Sequence, residues 1–171
     1  MRAAASTTCT SPNPEEVRDE LFGAVAANVD RHPIIGLDPV NCTPQLGTPG
    51  LWSDRLPHFR MRFTPSSGHE LQSEYLVARR HVIGAIEALR ALSKVVRPLL
   101  QVSEIRTVAG DQLWMSPQYG RHTVGIHFTW KPEQDAVERV LTEVEAALAP
   151  FEARPHWGKV FLADAAAIAP L

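Results

Sequence analysis

The sequence lacks most of the features that narrow a function quickly. It has two cysteines, Cys9 and Cys42, in 171 residues. Their spacing suits no metal site. A disulfide between them stays open on spacing alone, but two thiols in a chain this long read as reduced and cytosolic. No apolar run reaches the ~18 residues a spanning helix needs, so no membrane span is expected. An excess of charge is missing too. The formal net charge is −2, so neither nucleic acid nor an acidic membrane surface is marked as a partner. The first residues, Met1 to Thr8, carry one arginine and no apolar core, which is not a secretory signal. There is no CxxC, HExxH, GxGxxG or Walker loop. The chain therefore offers no metal-ligand spacing and no phosphate cradle of its own.

What it has is enough apolar material for a core. Hydrophobic residues make up 44% of the sequence, and the length fits one domain of ordinary size. Residues 1–15 read as disordered or unrelated to the rest. Glu15 to Asn28 reads as a short helix, with Val17, Leu21, Ala24 and Val25 on one face and Pro14 at its start. From Asp30 to Pro57 prolines and glycines punctuate a long irregular stretch, which is either functional, packed against something, or a plain linker. Residues 16–57 thus form a helix and a long loop, 58–163 the main domain, and 164–171 a tail.

Within the main domain the periodicity is clear. His58 to Pro65 alternates as a strand, and a Pro65-Ser66-Ser67-Gly68 turn leads to a second strand, Glu70 to Ala78, in a hairpin. Leu71, Ser73, Tyr75 and Val77 share one face of that strand, and Gln72 and Glu74 the other. Arg79 to Val96 is a helix with a stripe of Val82, Ala85, Ile86, Leu89 and Leu92, stopped by Pro98. Leu99 to Val108 and His122 to Lys131 are strands. Pro132 opens a second helix, with Glu133 and Asp135 near its positive end. Its stripe is Val137, Val140, Leu141, Val144 and Leu148. Arg154 to Leu162 reads as a short last strand. The predicted class is α+β: a mostly antiparallel sheet with helices on one face and a ferredoxin-like β-α-β-β-α-β core. The other face is left free to line a site.

Side chains two apart on a strand share a face. Glu104 and Arg106 form one such pair, and His127 and Thr129 another. Opposite the second pair, Val124, Ile126, Phe128 and Trp130 form an apolar face. If the two strands pair, the four polar residues lie together, with Gln72 and Glu74 beside them and Lys159 arriving from the chain end. Carboxylate and hydroxyl groups hydrogen-bond a polyhydroxylated substrate. Arginine and lysine stabilise negative charge that develops in a reaction, and histidine takes or relays a proton near neutral pH. That set suits oxidation of an alcohol. Against it stand plainer roles: Glu104 and Arg106 as an ordinary ion pair, and His127 as a core histidine bonded to backbone.

Several stretches together resemble a known family. They include Asn41-Cys42-Thr43-Pro44-Gln45-Leu46-Gly47, Arg55-Leu56-Pro57-His58-Phe59-Arg60 and Phe63-Thr64-Pro65-Ser66-Ser67-Gly68. Glu70-Leu71-Gln72-Ser73-Glu74-Tyr75, Ser103-Glu104-Ile105-Arg106-Thr107-Val108, His127-Phe128-Thr129-Trp130 and Arg154-Pro155-His156-Trp157-Gly158-Lys159 complete the set. From roughly Glu20 to Leu162 the chain is similar to the C-terminal, substrate half of alditol (xylitol) oxidases. These are relatives of the D-arabinono-1,4-lactone and L-gulonolactone oxidases in the vanillyl-alcohol-oxidase flavoprotein superfamily.

The resemblance implies an FAD-dependent oxidase that takes a polyol hydroxyl, with oxygen as acceptor and hydrogen peroxide as product. It implies catalytic roles for Lys159, His127, Arg106 and Glu104. Substrate binding falls to Gln72, Glu104, Arg106, Thr129 and Lys159, and cofactor contacts to Arg106, His156 and Lys159. No metal is implied. His127 and Lys159 both remain candidates for the base. The family's N-terminal FAD domain has no counterpart in this sequence, so flavin is expected to bind weakly without that domain, supplied in cis or in trans. The uncovered sheet face is then a patch for a partner or a second copy. A sugar-lactone oxidase and a non-catalytic polyol- or partner-binding remnant are the alternatives.

Overall fold

The computed structural model describes residues 20–21, 23–55, 59–60 and 69–171. Two very short strands come first, β1 (Glu20–Leu21) and β2 (Ala24–Val25), paired antiparallel. Gly23 between them has φ of 81°, the left-handed region that glycine enters freely. The helix expected from Glu15 to Asn28 is therefore absent from its described part. The physical reason is local. Gly23 turns the chain back, and among the described residues Ala24 and Val25 are exposed, Val25 by 80%, so they bury no apolar face that would hold a helix together.

The irregular stretch is irregular in the structure as well. It holds two single turns of 3-10 helix, Pro39–Asn41 and Trp52–Asp54. An isolated bridge joins Cys42 to Phe59. Apart from Phe59 and Arg60, the strand expected at 58–65 and its hairpin lie outside the described residues.

The main sheet comprises β3 (Leu71–Ala78), β4 (Leu100–Val108), β5 (Thr123–Trp130) and β6 (Arg154–Pro155). Its spatial order is β4-β5-β3-β6, with every neighbouring pair antiparallel. Two helices, α1 (Val82–Ala91) and α2 (Ser93–Val96), connect β3 to β4, and α3 (Gln134–Leu148) connects β5 to β6. Thus β3 and β4 run parallel with β5 between them, the split β-α-β pattern of a ferredoxin-like core. The α+β reading, with helices on one face, holds.

Period-2 alternation decides which residues meet the helices. Tyr75 and Val77 from β3, and Val124, Ile126, Phe128 and Trp130 from β5, form one buried cluster. Val137, Val140, Leu141, Val144 and Leu148 of α3 pack against them, at the spacing of one helix face. From the other connection come Ala85 and Val96, with Val82, Ile86, Leu89 and Leu92 partly buried. The first helix is interrupted at Leu92, which ends α1 and precedes α2. Pro132 lies just before α3 rather than within its first turn.

The end of the chain departs from expectation. Only Arg154 and Pro155 are strand, not Arg154 to Leu162. Pro155 has no N–H to donate, which confines it to a sheet edge, and the chain turns away immediately after it. The last residues form α4 (Ala165–Ile168), one turn whose start is capped by Asp164 accepting from the Ala167 N–H at 2.9 Å. No helix among the described residues is long and apolar enough to cross a membrane.

Candidate functional site

Strand register builds the site. Glu74 on β3 lies directly across from His127 on β5, and His127 directly across from Glu104 on β4. One step along, Gln72 faces Thr129, which faces Val102. One step the other way, Leu76 faces Gly125, which faces Arg106. All of these positions have the parity opposite to the helix-packed residues. The polar set foreseen from alternation is therefore assembled on the sheet face away from the helices.

Lys159 reaches this face by a turn, not a strand. The His156 N–H donates to the Glu74 carbonyl at 2.9 Å, and the Val160 N–H to the Gln72 carbonyl at 2.8 Å. Between them the Lys159 N–H closes a tight turn on the His156 carbonyl at 3.0 Å. Five residues of chain thus span a three-residue stretch of β3, and the excess bulges out. That bulge delivers the Lys159 side chain over Glu74.

The side-chain geometry is centred on one carboxylate. Lys159 Nζ donates to Glu74 Oε2 and lies 2.9 Å from His127 Nδ1. His127 Nδ1 is 3.4 Å from the same Glu74 oxygen. A bare Nδ1 accepts from the lysine ammonium, and the ring proton on Nε2 then donates to Thr129 Oγ1 at 3.1 Å; a protonated Nδ1 instead donates to Glu74. Arg106 pairs with Glu104 and stands 3.7 Å from Glu74 Oε2.

Exposure grades across the group. The Glu74 and His127 side chains are 9% and 5% exposed, and that of Arg106 is 44% exposed. Hydrogen bonding to His127 comes first in holding the Glu74 carboxyl down, from an ordinary 4.5 to about 2, with Lys159 adding a bond and its charge. Together these outweigh the opposing effect of burial. Glu74 is therefore an anion throughout the physiological range.

The structure brings Glu104, Arg106, His127, Thr129 and Lys159 together, with Gln72 beside Glu74. His156 is not part of the cluster. It is exposed, and its Nδ1 accepts from the Gly158 N–H within its own turn at 3.1 Å. Sequence reasoning placed Glu74 on the right face but gave it no role, and it did not notice Gly125. A Cβ on Gly125 would come within 2.6 Å of Glu74 Oε1, so the glycine leaves the space in which this carboxylate lies. The available signal was an acid at the parity of Gln72 in a strand otherwise fit for burial.

The helix-backed antiparallel sheet thus presents a charge-paired, hydrogen-bonded face on its helix-free side. A family model described as D-arabinono-1,4-lactone oxidase matches residues 69–171, and the chain belongs to that family. It is also 52% identical over 142 residues to an alditol oxidase from Streptomyces sp. (strain IKD472 / FERM P-14339). That match covers 83% of this chain and 34% of the relative, so the chain spans about a third of the relative's length.

Proposed function

We propose that this chain is the substrate-binding part of an FAD-dependent oxidase that oxidises a hydroxyl of a xylitol- or sorbitol-like polyol. The observation that carries this reading is the Lys159–His127–Arg106–Glu104 group on the helix-free sheet face, in a chain so similar to an alditol oxidase. Gln72, Thr129, Glu104 and Arg106 are suited to the hydroxyl groups of such a substrate. The ammonium of Lys159 has three donors. Glu74 and His127 engage two of them, leaving one for a substrate oxygen.

The residues present suit a flavin. Two cations, Lys159 and the half-exposed Arg106, stand on one face where negative charge could be neutralised. Together with His156, exposed on the adjoining turn, they are the residues of this chain that would contact it. FAD, when bound, supplies the hydride acceptor, and oxygen takes the electrons to give hydrogen peroxide. This chain's part is to hold the carbinol carbon in place and to take the hydroxyl proton at His127 as the carbonyl forms, since the Lys159 ammonium has no lone pair to accept it. The FAD-binding domain would be supplied in cis or in trans. A cytoplasmic setting goes with the scarcity of cysteines.

A second reading, a sugar-lactone oxidase, is favoured by the description of the family model. One experiment separates them. The chain is fused to the remaining two-thirds of the Streptomyces relative, and peroxide is measured with xylitol, sorbitol and a 1,4-lactone. Polyol turnover supports the first reading and lactone turnover alone the second. Turnover of neither, with flavin bound, points to a non-catalytic polyol- or partner-binding remnant. Lys159→Met in the fusion is expected to abolish turnover while flavin stays bound. Wild-type turnover in that variant would remove Lys159 from the site.

A further inference from the structure

We propose that Glu74 is the positioning residue of this site: it fixes the Lys159 ammonium and the His127 ring from behind, in a space that Gly125 leaves open. This deepens the oxidase reading and rests on it for its catalytic meaning, but the arrangement can be tested alone. Glu74 meets three members of the group through its side chain. One of its oxygens receives Lys159, faces His127 Nδ1 at 3.4 Å, and lies 3.7 Å from Arg106. The other lies over Gly125. Its backbone carbonyl also holds the turn that carries Lys159, through the His156 N–H at 2.9 Å. One residue therefore ties down both ends of the lysine, its backbone turn and its side-chain tip.

The placement says why this is positioning rather than contact with substrate. The Glu74 side chain is nearly buried, whereas that of Arg106 stands at the surface. The groups facing Glu74 are His127 from β5, Arg106 from β4 and Lys159 from the turn after β6, with Glu104 on the far side of Arg106. Two of these are fixed cations, so a fixed anion between them lets both crowd one small site. An acidic group orients a catalytic histidine from behind in hydrolase triads. A glutamine of the same shape keeps the volume and removes the charge.

The test begins with the 171-residue chain itself. It has three lysines, Lys94, Lys131 and Lys159, so the side-chain ammonium signals in a nitrogen-15 NMR spectrum are few. Lys159→Met assigns the relevant one. In the wild type, the Lys159 ammonium signal is expected to persist at neutral pH, because its protons are bonded and shielded. Glu74→Gln is expected to broaden it into solvent exchange. Gly125→Ala keeps every charge but evicts the carboxylate, and it is expected to do the same. If Glu74→Gln does not fold, Gly125→Ala carries the test. An unchanged Lys159 signal in the folded variants overturns the proposal.

In the fused oxidase, Glu74→Gln is expected to lower kcat about 100-fold, with KM for the polyol within a few-fold of wild type. Unchanged kcat beside a lost NMR signal also overturns the positioning role. A fused wild type that oxidises nothing, beside a lost NMR signal, supports the arrangement and removes the oxidase reading instead.

Discussion

The two faces of the main sheet are made from alternate residues of the same strands, yet different forces hold them. Toward the helices, Val77, Val137, Leu141 and Val144 are fully buried among apolar neighbours. Toward the site, Glu74, His127 and Thr129 are almost as buried, but each is held by a hydrogen bond or an opposite charge. The first face gains from removing apolar surface from water, which is insensitive to small changes in angle. The second depends on direction and protonation state, because an unpaired buried charge is costly. One face can therefore be repacked without changing what the other does. The other can be inactivated without unfolding the sheet.

The sharpest way to separate the faces is to break each and compare stability. Leu141→Ala removes a fully buried side chain between α3 and the sheet. Chemical denaturation is expected to register a loss of about 2–5 kcal/mol. The site chemistry should survive in whatever fraction stays folded.

Acid provides the matching test on the polar face. The folded Glu74 carboxyl is lowered from 4.5 to about 2. Its stabilising effect is thus fully present above about 4.5, declines as pH falls, and is gone below about 2. The full span is worth on the order of 3 kcal/mol. Other carboxylates titrate in the same window, so the measured quantity is the difference between wild type and Glu74→Gln. That difference is expected to shrink as the pH falls from 4.5 to 2. A constant gap would mean that Glu74 gains no stability from its charge.

How much of this could be read from the sequence depends on the range of each signal. Which side chains share a face was legible, because alternation is local: Tyr75 and Val77 against Gln72 and Glu74, Ile126 and Phe128 against His127 and Thr129. The stripe of α3 was legible for the same reason. The register that sets Glu74, His127 and Glu104 in one row was not, since it is fixed by pairing between distant segments. Gly125 was silent because its contribution is an absent side chain. Lys159 entered through alternation only as an arrival from the chain end. Its route is a turn held by the carbonyls of Gln72 and Glu74, and Val160 and Phe161 imitated a strand there. The apolar spacing of Leu21, Ala24 and Val25 imitated a helix, although Val25 is 80% exposed among the described residues.

The smallest effect expected is on a polar contact that lies on the apolar face. Ser73 is fully buried, and its Oγ accepts the Trp130 indole N–H at 2.5 Å. This is the helix-facing side, where alternation alone would favour an aliphatic residue. The serine is there because a fully buried indole N–H needs an acceptor. Ser73→Ala leaves that donor unpaired and is expected to cost about 1–3 kcal/mol in denaturation. Trp130→Phe removes the donor as well, so adding Ser73→Ala to it should cost less than Ser73→Ala in the wild type. The coupling in that double-mutant cycle measures the bond itself. Zero coupling would mean that the helix-facing side needs no hydrogen bonding between side chains here, and the contrast between the faces would be sharper than drawn.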